Sequence, residues 1–495
     1  MPPDASALLL TLPIATPAAV AAGYAATGWR PATAWAGLLS PAAILACAAV
    51  LATDVPGHGP RSEYGGLLRA DALAVWILLG VGAVGALACA AAPAYLAAER
   101  AGGHADEGSA QRFGALVHLF LAAMALATLT ANLGVLWVAV EATTIVTAFL
   151  VGHRRTRAGV EAAWKYVVIC SAGIALAFLG TVLVYYAARH AGISEAKALD
   201  WPTLLAHADR LDQRTVRLGT ALALLGFGAK AGLVPLHAWL PDAHSQAPAP
   251  VSALMSGVLL AVAFTAVLRY KLIADAALGP HFARSMLLWT ALITLALATA
   301  LLLGQRDYKR LLAYSSMEHM SLIALAAAVG SRPALSALLL HMAGHGLAKG
   351  VAFCSSGHIL HLTRTTRIGR VRGLLARAPA LGGTFGLAVL ALLALPPFSL
   401  FASELAIARA GFASPLGWAT TVALALVLAS FAAITARTAR MLLGPRPAGA
   451  AAAPERAGFA VWVPLAGGLA VCAALGVTIH PLNELLTAAA QIGGH

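Results

Sequence analysis

The stretch GAKAGLVPLHAWLPDAH, residues 228–244, decides the architecture. It begins inside an apolar run at about 216–243, yet it carries Lys230, Pro235 and Pro241. Proline removes a backbone donor and interrupts an α-helix. A second run, at about 381–411, breaks in the same way within LALPPFSLFASE (393–404), where Pro396 and Pro397 precede Glu404. Helix breaks at membrane depth are tolerated only where protein or a water-filled cavity receives the freed backbone groups. Two interrupted hydrophobic segments in corresponding positions point to an internally repeated transporter with its site near the breaks.

The composition agrees. Of 495 residues, 60% are hydrophobic and only 11% charged, against about 25% charged in a soluble domain. Such a chain cannot cover itself with a polar surface, which excludes a soluble enzyme. Its apolar runs are continuous and about 20 residues long, which excludes the alternating strands of a β-barrel. Fourteen runs are expected to span, at about 5–27, 32–53, 71–97, 112–130, 132–152, 160–187, 216–243, 248–270, 283–304, 309–329, 334–361, 381–411, 416–443 and 458–479. In lipid each must be helical. The expected fold is an all-α polytopic membrane protein of about 14 transmembrane helices. Spans 4–8 and 9–13 form two sets of five, each broken at its fourth member. An odd number of spans starts the second set from the opposite face, the pattern of an inverted repeat. The expected divisions are an N-terminal three-helix region (1–110), two repeats (111–272 and 273–445) and a C-terminal helix and tail (446–495).

The formal net charge is +13. In a membrane chain this reads as basic loops facing anionic headgroups, not as a nucleic-acid surface. Loops after odd-numbered spans carry 18 basic residues, among them Lys309, Arg446, Arg456 and five arginines between 364 and 377; loops after even-numbered spans carry 12, including Arg269 and Lys271. The positive-inside rule then places both termini outside the cytoplasm of a prokaryotic inner membrane. The N-terminus, MPPDASALLL, holds no basic residue, so its apolar run is expected to be retained rather than cleaved. Five cysteines are isolated in apolar runs with no CxxC pair, so no iron–sulfur cluster or other cofactor is expected on this chain.

Deep inside spans lie three acids, Glu141, Glu318 and Glu404, and two bases, Lys230 and Lys349; Lys165 lies shallower, near the start of span six. Each buried charge costs about 2.5–3.5 kcal/mol on insertion scales. Helix–helix ion pairing is one account of them. A relay for protons or cations is the other, and it explains why they coincide with two broken helices. Pairing of Glu141 with Lys230 would stabilise both charges, and breaking the pair would release the Lys230 proton, so each charge can gate its neighbour. In span eleven, His341, His345 and Lys349 are spaced i, i+4, i+8 on one helix face. Imidazoles can shuttle protons near neutrality. Histidines four apart can also bind zinc, but no third ligand is evident in the sequence and Lys349 shares the face, so no metal is expected. His237 and His244 flank the span-seven break and are either relay groups or partners for freed carbonyls. Glu318 and His319 are secondary relay candidates, with a structural role as the alternative.

These residues also carry a resemblance. HAWLPDAHSQAPAPVSALMSGVLL (237–260) resembles the signature of the antiporter-like subunits of respiratory complex I, Mrp-type antiporters and group 4 membrane-bound nickel–iron hydrogenases. WVAVEATT (137–144), AYSSMEHMSLIA (313–324), HMAGHGLAKGVAF (341–353) and LPPFSLFASE (395–404) extend the match. The chain is most similar to the F-type members found in hydrogenase-4 complexes, with the M-type members of complex I next. The resemblance implies fourteen helices in two inverted repeats and proton translocation driven by redox chemistry in partner subunits. It places the family's relay on Glu141, Lys230, Lys349 and Glu404. Complex I relatives usually carry a Lys or His in span eight near Ala261, where this chain has no ionisable group. The link from Lys230 to Lys349 must then run through water, His341 or His345, or be interrupted. The implied partners are other membrane subunits of such an assembly. A sodium–proton antiporter and a membrane partner in inorganic-carbon uptake are the alternatives. The acids are few and scattered for sodium, which needs several oxygen ligands.

Overall fold

The computed structural model describes residues 3–444 and 459–491. Arg446 and Arg456, and parts of the expected 446–495 segment, lie outside the described residues. The chain is helical almost throughout: α1 (Pro3–Thr27), α2 (Leu39–His58), α3 (Ala72–Ala101), α4 (Glu107–Leu129), α5 (Leu133–Val151), α6 (Arg157–His190), α7 (Gln213–Lys230), α8 (Trp239–Gln246), α9 (Ala249–Leu278), α10 (His281–Gly304), α11 (Tyr308–Val329), α12 (Arg332–Thr363), α13 (Pro379–Leu392), α14 (Ser399–Phe412), α15 (Gly417–Leu443), α16 (Phe459–Val477) and α17 (Asn483–Gln491). A short ribbon, Arg61–Glu63 antiparallel to Leu68–Ala70, is the one named sheet among the described residues.

Among the described residues, 11 helices are long and apolar enough to cross a membrane, or up to 12 when the pair bent by 81° near the C-terminus is counted as one span. The protein is therefore a multi-pass membrane protein. The count falls below the expected fourteen because spans seven and twelve are divided. Helix α7 stops at Lys230 and α8 starts at Trp239; α13 stops at Leu392 and α14 starts at Ser399. Each break contains a cis X–Pro bond, Val234–Pro235 and Pro396–Pro397.

Local chemistry sets the helix starts. Asp71, Asn132, Thr156, Asp212 and Asp307 accept from backbone N–H groups at the heads of α3, α5, α6, α7 and α11, satisfying donors that have no intrahelical partner. Helices α6 and α7 touch backbone to backbone through glycines spaced seven apart. A Cβ on Gly180 would lie 2.4 Å from the Gly219 carbonyl oxygen, and one on Gly226 would lie 2.4 Å from that of Gly173. Small residues at such a seam let helices approach where lipid gives no hydrophobic drive. The centre of the molecule is built by α9, α11 and α12, each 94% buried over its most apolar stretch.

Several charges expected in loops are buried. Helix α9 runs to Leu278, beyond the expected end near 270, and takes Arg269 and Lys271 inside. Arg269 pairs with Asp71 at 2.7 Å and stacks 4.2 Å from the Trp201 ring centroid. Lys271 pairs with Asp275. Lys309 is also buried, donating to the carbonyls of Ser245 (3.1 Å) and Ala247 (2.8 Å), where the C-terminus of α8 favours a cation. These three residues therefore carry no weight in a loop-charge count.

Candidate functional site

Lys230 is the last residue of α7 and is fully buried. Its ammonium donates to Thr144 Oγ1 on α5 at 2.9 Å and to the Tyr166 hydroxyl on α6. Tyr166 in turn meets Thr147 Oγ1. The Trp239 indole, first residue of α8, donates to the Ala229 carbonyl at 3.0 Å, a second donor beside the Gly232 N–H, and so ties the two halves of the broken span together. Lys230 also lies 4.7 Å from the Tyr166 ring centroid and 5.9 Å from that of Trp239, a favourable place for a cation. The expected Glu141–Lys230 ion pair is not formed. Glu141 Oε1 accepts from Ser171 Oγ at 3.2 Å, and Oε2 has no hydrogen-bond partner among the described residues. Thr144 lies three residues along α5 from Glu141, so it takes the position a carboxylate was expected to fill. Glu141, Thr144 and Ser171 line a groove of about 700 Å³ walled by the exposed side chains of Ile145, Phe149 and Trp164.

The second cluster lies on α11, α12 and α14. Lys349 is fully buried and donates to the Leu312 carbonyl at 2.7 Å and to Ser315 Oγ. His341 Nδ1 meets Ser403 Oγ at 3.0 Å, and His341 Nε2 meets His319 Nδ1 at 3.1 Å. Ser403 donates its own proton to the Leu400 carbonyl at 3.0 Å, so its oxygen accepts from His341. That assigns the proton to His341 Nδ1 and leaves Nε2 as the acceptor for His319 Nδ1–H. The His345 ring lies 5.1 Å from that of His319, as does the His341 ring. Glu404 Oε1 is 3.9 Å from His319 Nδ1, and its side chain is 18% exposed. Glu318 is buried, with Oε2 unpartnered among the described residues.

Four expected residues, His319, His341, His345 and Glu404, thus form one contiguous group. Lys165 does not join either cluster. It is about half exposed and pairs with Glu161 at 2.7 Å and Asp242 at 3.2 Å, because the first turns of α6 face solvent. Arg310 also holds Asp242, at 2.7 Å. His237 is half-buried, with Nδ1 3.2 Å from the Pro235 carbonyl in its own turn. The other histidine at this break, His244, is fully buried. Its ring stacks 4.9 Å from Phe353 of α12, and neither nitrogen has a partner among the described residues. Sequence reasoning undervalued His244 and did not single out Thr144, Tyr166 or Ser403. The available signal was Thr144, one helical turn from Glu141; Tyr166 and Ser403 only adjoin Lys165 and Glu404 in sequence, and spacing did not mark them.

Residues 130–431 match the family model described as NADH:quinone oxidoreductase/Mrp antiporter, TM. The chain belongs to this family. The match begins ahead of Glu141 and ends beyond Glu404, so it encloses every candidate residue. Among curated relatives, the hydrogenase-4 component F homolog of Methylacidiphilum infernorum is 39% identical over 355 residues, covering 71% of this chain and 74% of that protein. The chain covers 48% of a second relative, the NADH-quinone oxidoreductase subunit N of Desulforudis audaxviator, at 32% identity and over 50% of its own length. The fold is shared with a chain of an archaeal membrane-bound sulfane sulfur reductase, with a TM-score of 0.85, 22% identity and coverage of 99% of this chain and 98% of that one. It is shared also with a chain of the Mrp complex of Dietzia, with a TM-score of 0.84, 22% identity and coverage of 98% and 97%. This antiporter-family chain is thus related to membrane subunits of hydrogenase-4 and NADH-quinone oxidoreductase.

Proposed function

We propose that this chain is the proton-translocating membrane subunit of a group 4 hydrogenase or complex I-like assembly, coupling electron transfer in partner subunits to proton movement at the membrane midplane. One observation carries the reading: each broken helix meets a buried polar cluster, Lys230 with Thr144 and Tyr166 at the first and His341 with His319 and Ser403 at the second, where Glu404 stands 3.9 Å from His319. The relay runs from Glu141 through Ser171 and Thr144 to Lys230, and from Lys349 through His345, His319 and His341 to Glu404. His244 supports the join between the halves, since it is buried on α8 against α12 with both ring nitrogens unpartnered among the described residues. Ala261 does not, because it lines an apolar cavity of about 220 Å³ with Val84, Val258 and Met342. The hydrogenase assignment rests on the 39% identical relative and on the lack of an ionisable residue near Ala261 in α9. Protons are favoured over sodium because Glu141 and Glu404 each face hydroxyl or imidazole groups and not a cage of oxygens.

In this reading the halves α7–α8 and α13–α14 each complete a crossing, giving fourteen spans. The repeats then occupy 111–272 and 273–445, between the N-terminal region and the C-terminal segment. A neighbouring membrane subunit lies over the groove beside Glu141. The loop-charge bias keeps its sign without Arg269, Lys271 and Lys309, and supports termini outside the cytoplasm. The deciding experiment reconstitutes the whole complex in vesicles and measures the pH gradient beside redox turnover. Lys349→Ala is expected to keep assembly and abolish the gradient; a wild-type gradient would remove the relay from this chain.

A further inference from the structure

We infer that His319, His341 and Glu404 form a binding site for one divalent transition-metal ion of the zinc class, and that the bound ion stops translocation at the second broken helix. The blocking half of this inference rests on the relay proposed above; the binding half does not. Sequence spacing offered only His341 and His345, on one helix, and no third ligand. The fold supplies one ligand from each of three helices, α11, α12 and α14. One ligand atom of each lies within 4.8 Å of the other two. The separations are 3.1 Å for His319 Nδ1 to His341 Nε2 and 3.9 Å for His319 Nδ1 to Glu404 Oε1. Tetrahedral zinc with bonds of 2.0–2.1 Å sets neighbouring ligands about 3.3 Å apart. Shifts of well under an ångström along these two separations bring the atoms to that spacing.

The hydrogen-bond pattern prepares the rings. Ser403 accepts from His341 Nδ1, so His341 Nε2 already presents a bare lone pair toward the site. This is the outer-shell bond that orients a metal-binding imidazole. On binding, the ion replaces the proton that His319 Nδ1 shares with His341, and that proton moves to His319 Nε2, which has no partner among the described residues. The proton is conserved on the ring. Glu404 gives access, being the one partly exposed member of the three. Lys349 opposes a cation here, but its ammonium is turned to the Leu312 carbonyl and Ser315. Two imidazoles and one carboxylate favour zinc and its neighbours over calcium, magnesium or sodium.

The test uses the full-length protein within its purified complex. Bound Zn2+ is counted after dialysis, and Co2+ is titrated while its visible absorption is followed. Wild type should hold one ion more per chain than His341→Ala and Glu404→Gln. Ser403→Ala, which touches no ligand atom, should weaken binding by about 10–100-fold, and Ser403→Thr should restore it. Equal metal content and identical Co2+ spectra in wild type and the ligand variants would overturn the site even where a variant folds poorly, because wild type itself would then lack the extra ion. Zn2+ should collapse the pH gradient of wild-type vesicles, with its midpoint raised by the same factor in Ser403→Ala. Zn2+ binding that leaves the wild-type gradient intact would overturn the blocking role. Should Glu404→Gln pump normally, the relay fails, while the metal count still decides the site.

Discussion

The Lys230 ammonium rests 2.9 Å from the Thr144 hydroxyl and not on a carboxylate. A hydroxyl both donates and accepts, so Thr144 and Tyr166 can hold Lys230 in its charged and its neutral form alike. An adjacent carboxylate would favour only the charged form. The site is thus suited to a lysine that changes protonation state in place.

Lys230→Ala is therefore expected to leave assembly intact and abolish proton pumping, with redox turnover slowed or uncoupled. Lys230→Arg should also fail, because a guanidinium keeps its proton. Thr144→Val leaves the buried ammonium one partner short, a cost of about 1–3 kcal/mol, and should slow pumping while retaining Lys230. Normal proton uptake by the Ala or Arg variant in reconstituted vesicles would sink the role of this lysine.

Glu141 and Lys230 are not in contact: Glu141 accepts from Ser171, while Lys230 donates to Thr144, and the proposed relay couples them across these hydroxyls. Glu141→Gln should depress pumping about as far as Lys230→Ala, and the double variant should be no worse than either single. A double-mutant cycle on the pumping rate checks this, and strictly additive losses would separate the two residues.

Glu404 closes the second cluster, on the side that reaches exposed surface. Glu404→Gln should block net translocation, whereas Glu404→Asp should keep a partial rate because it still titrates. The readout is the pH gradient of vesicles holding the complex. A wild-type gradient with the Gln variant would place the exit elsewhere.

Orientation is open to chemical labelling. Single cysteines in the 153–158 and 364–372 loops should resist an impermeant thiol reagent applied to intact cells. Labelling of both from outside would reverse the assigned topology.

The α6–α7 seam has no room for a side chain at Gly226. Gly226→Leu should destabilise the protein by at least about 1–3 kcal/mol, the usual cost of overpacking. Gly23→Ala, with open space around its Cβ, should be near neutral. Thermal stability of the two purified variants in detergent compares them directly, and equal melting would mean the seam can open.

The breaks at Pro235 and Pro396–Pro397 were legible in the sequence because proline acts on its own backbone, whatever packs around it. Glu141, Lys230, Lys349 and Glu404 were legible for a similar reason: a charge inside an apolar run is costly wherever the run is placed. Their partners were not legible. Spacing of i, i+4 says that His341, His345 and Lys349 share a face, but it does not say which helix that face meets. Only the packing of α11, α12 and α14 brings His319, His341 and Glu404 together, and only Ser403 sets the His341 tautomer. Arg269 reads as a loop residue until α9 runs past it and Asp71, 198 positions away, receives it. Lys230 reads as the partner of Glu141 until the turn of α5 presents Thr144 instead. Local chemistry is written along the chain, while the choice of neighbour depends on distances across helices that no short window of sequence contains.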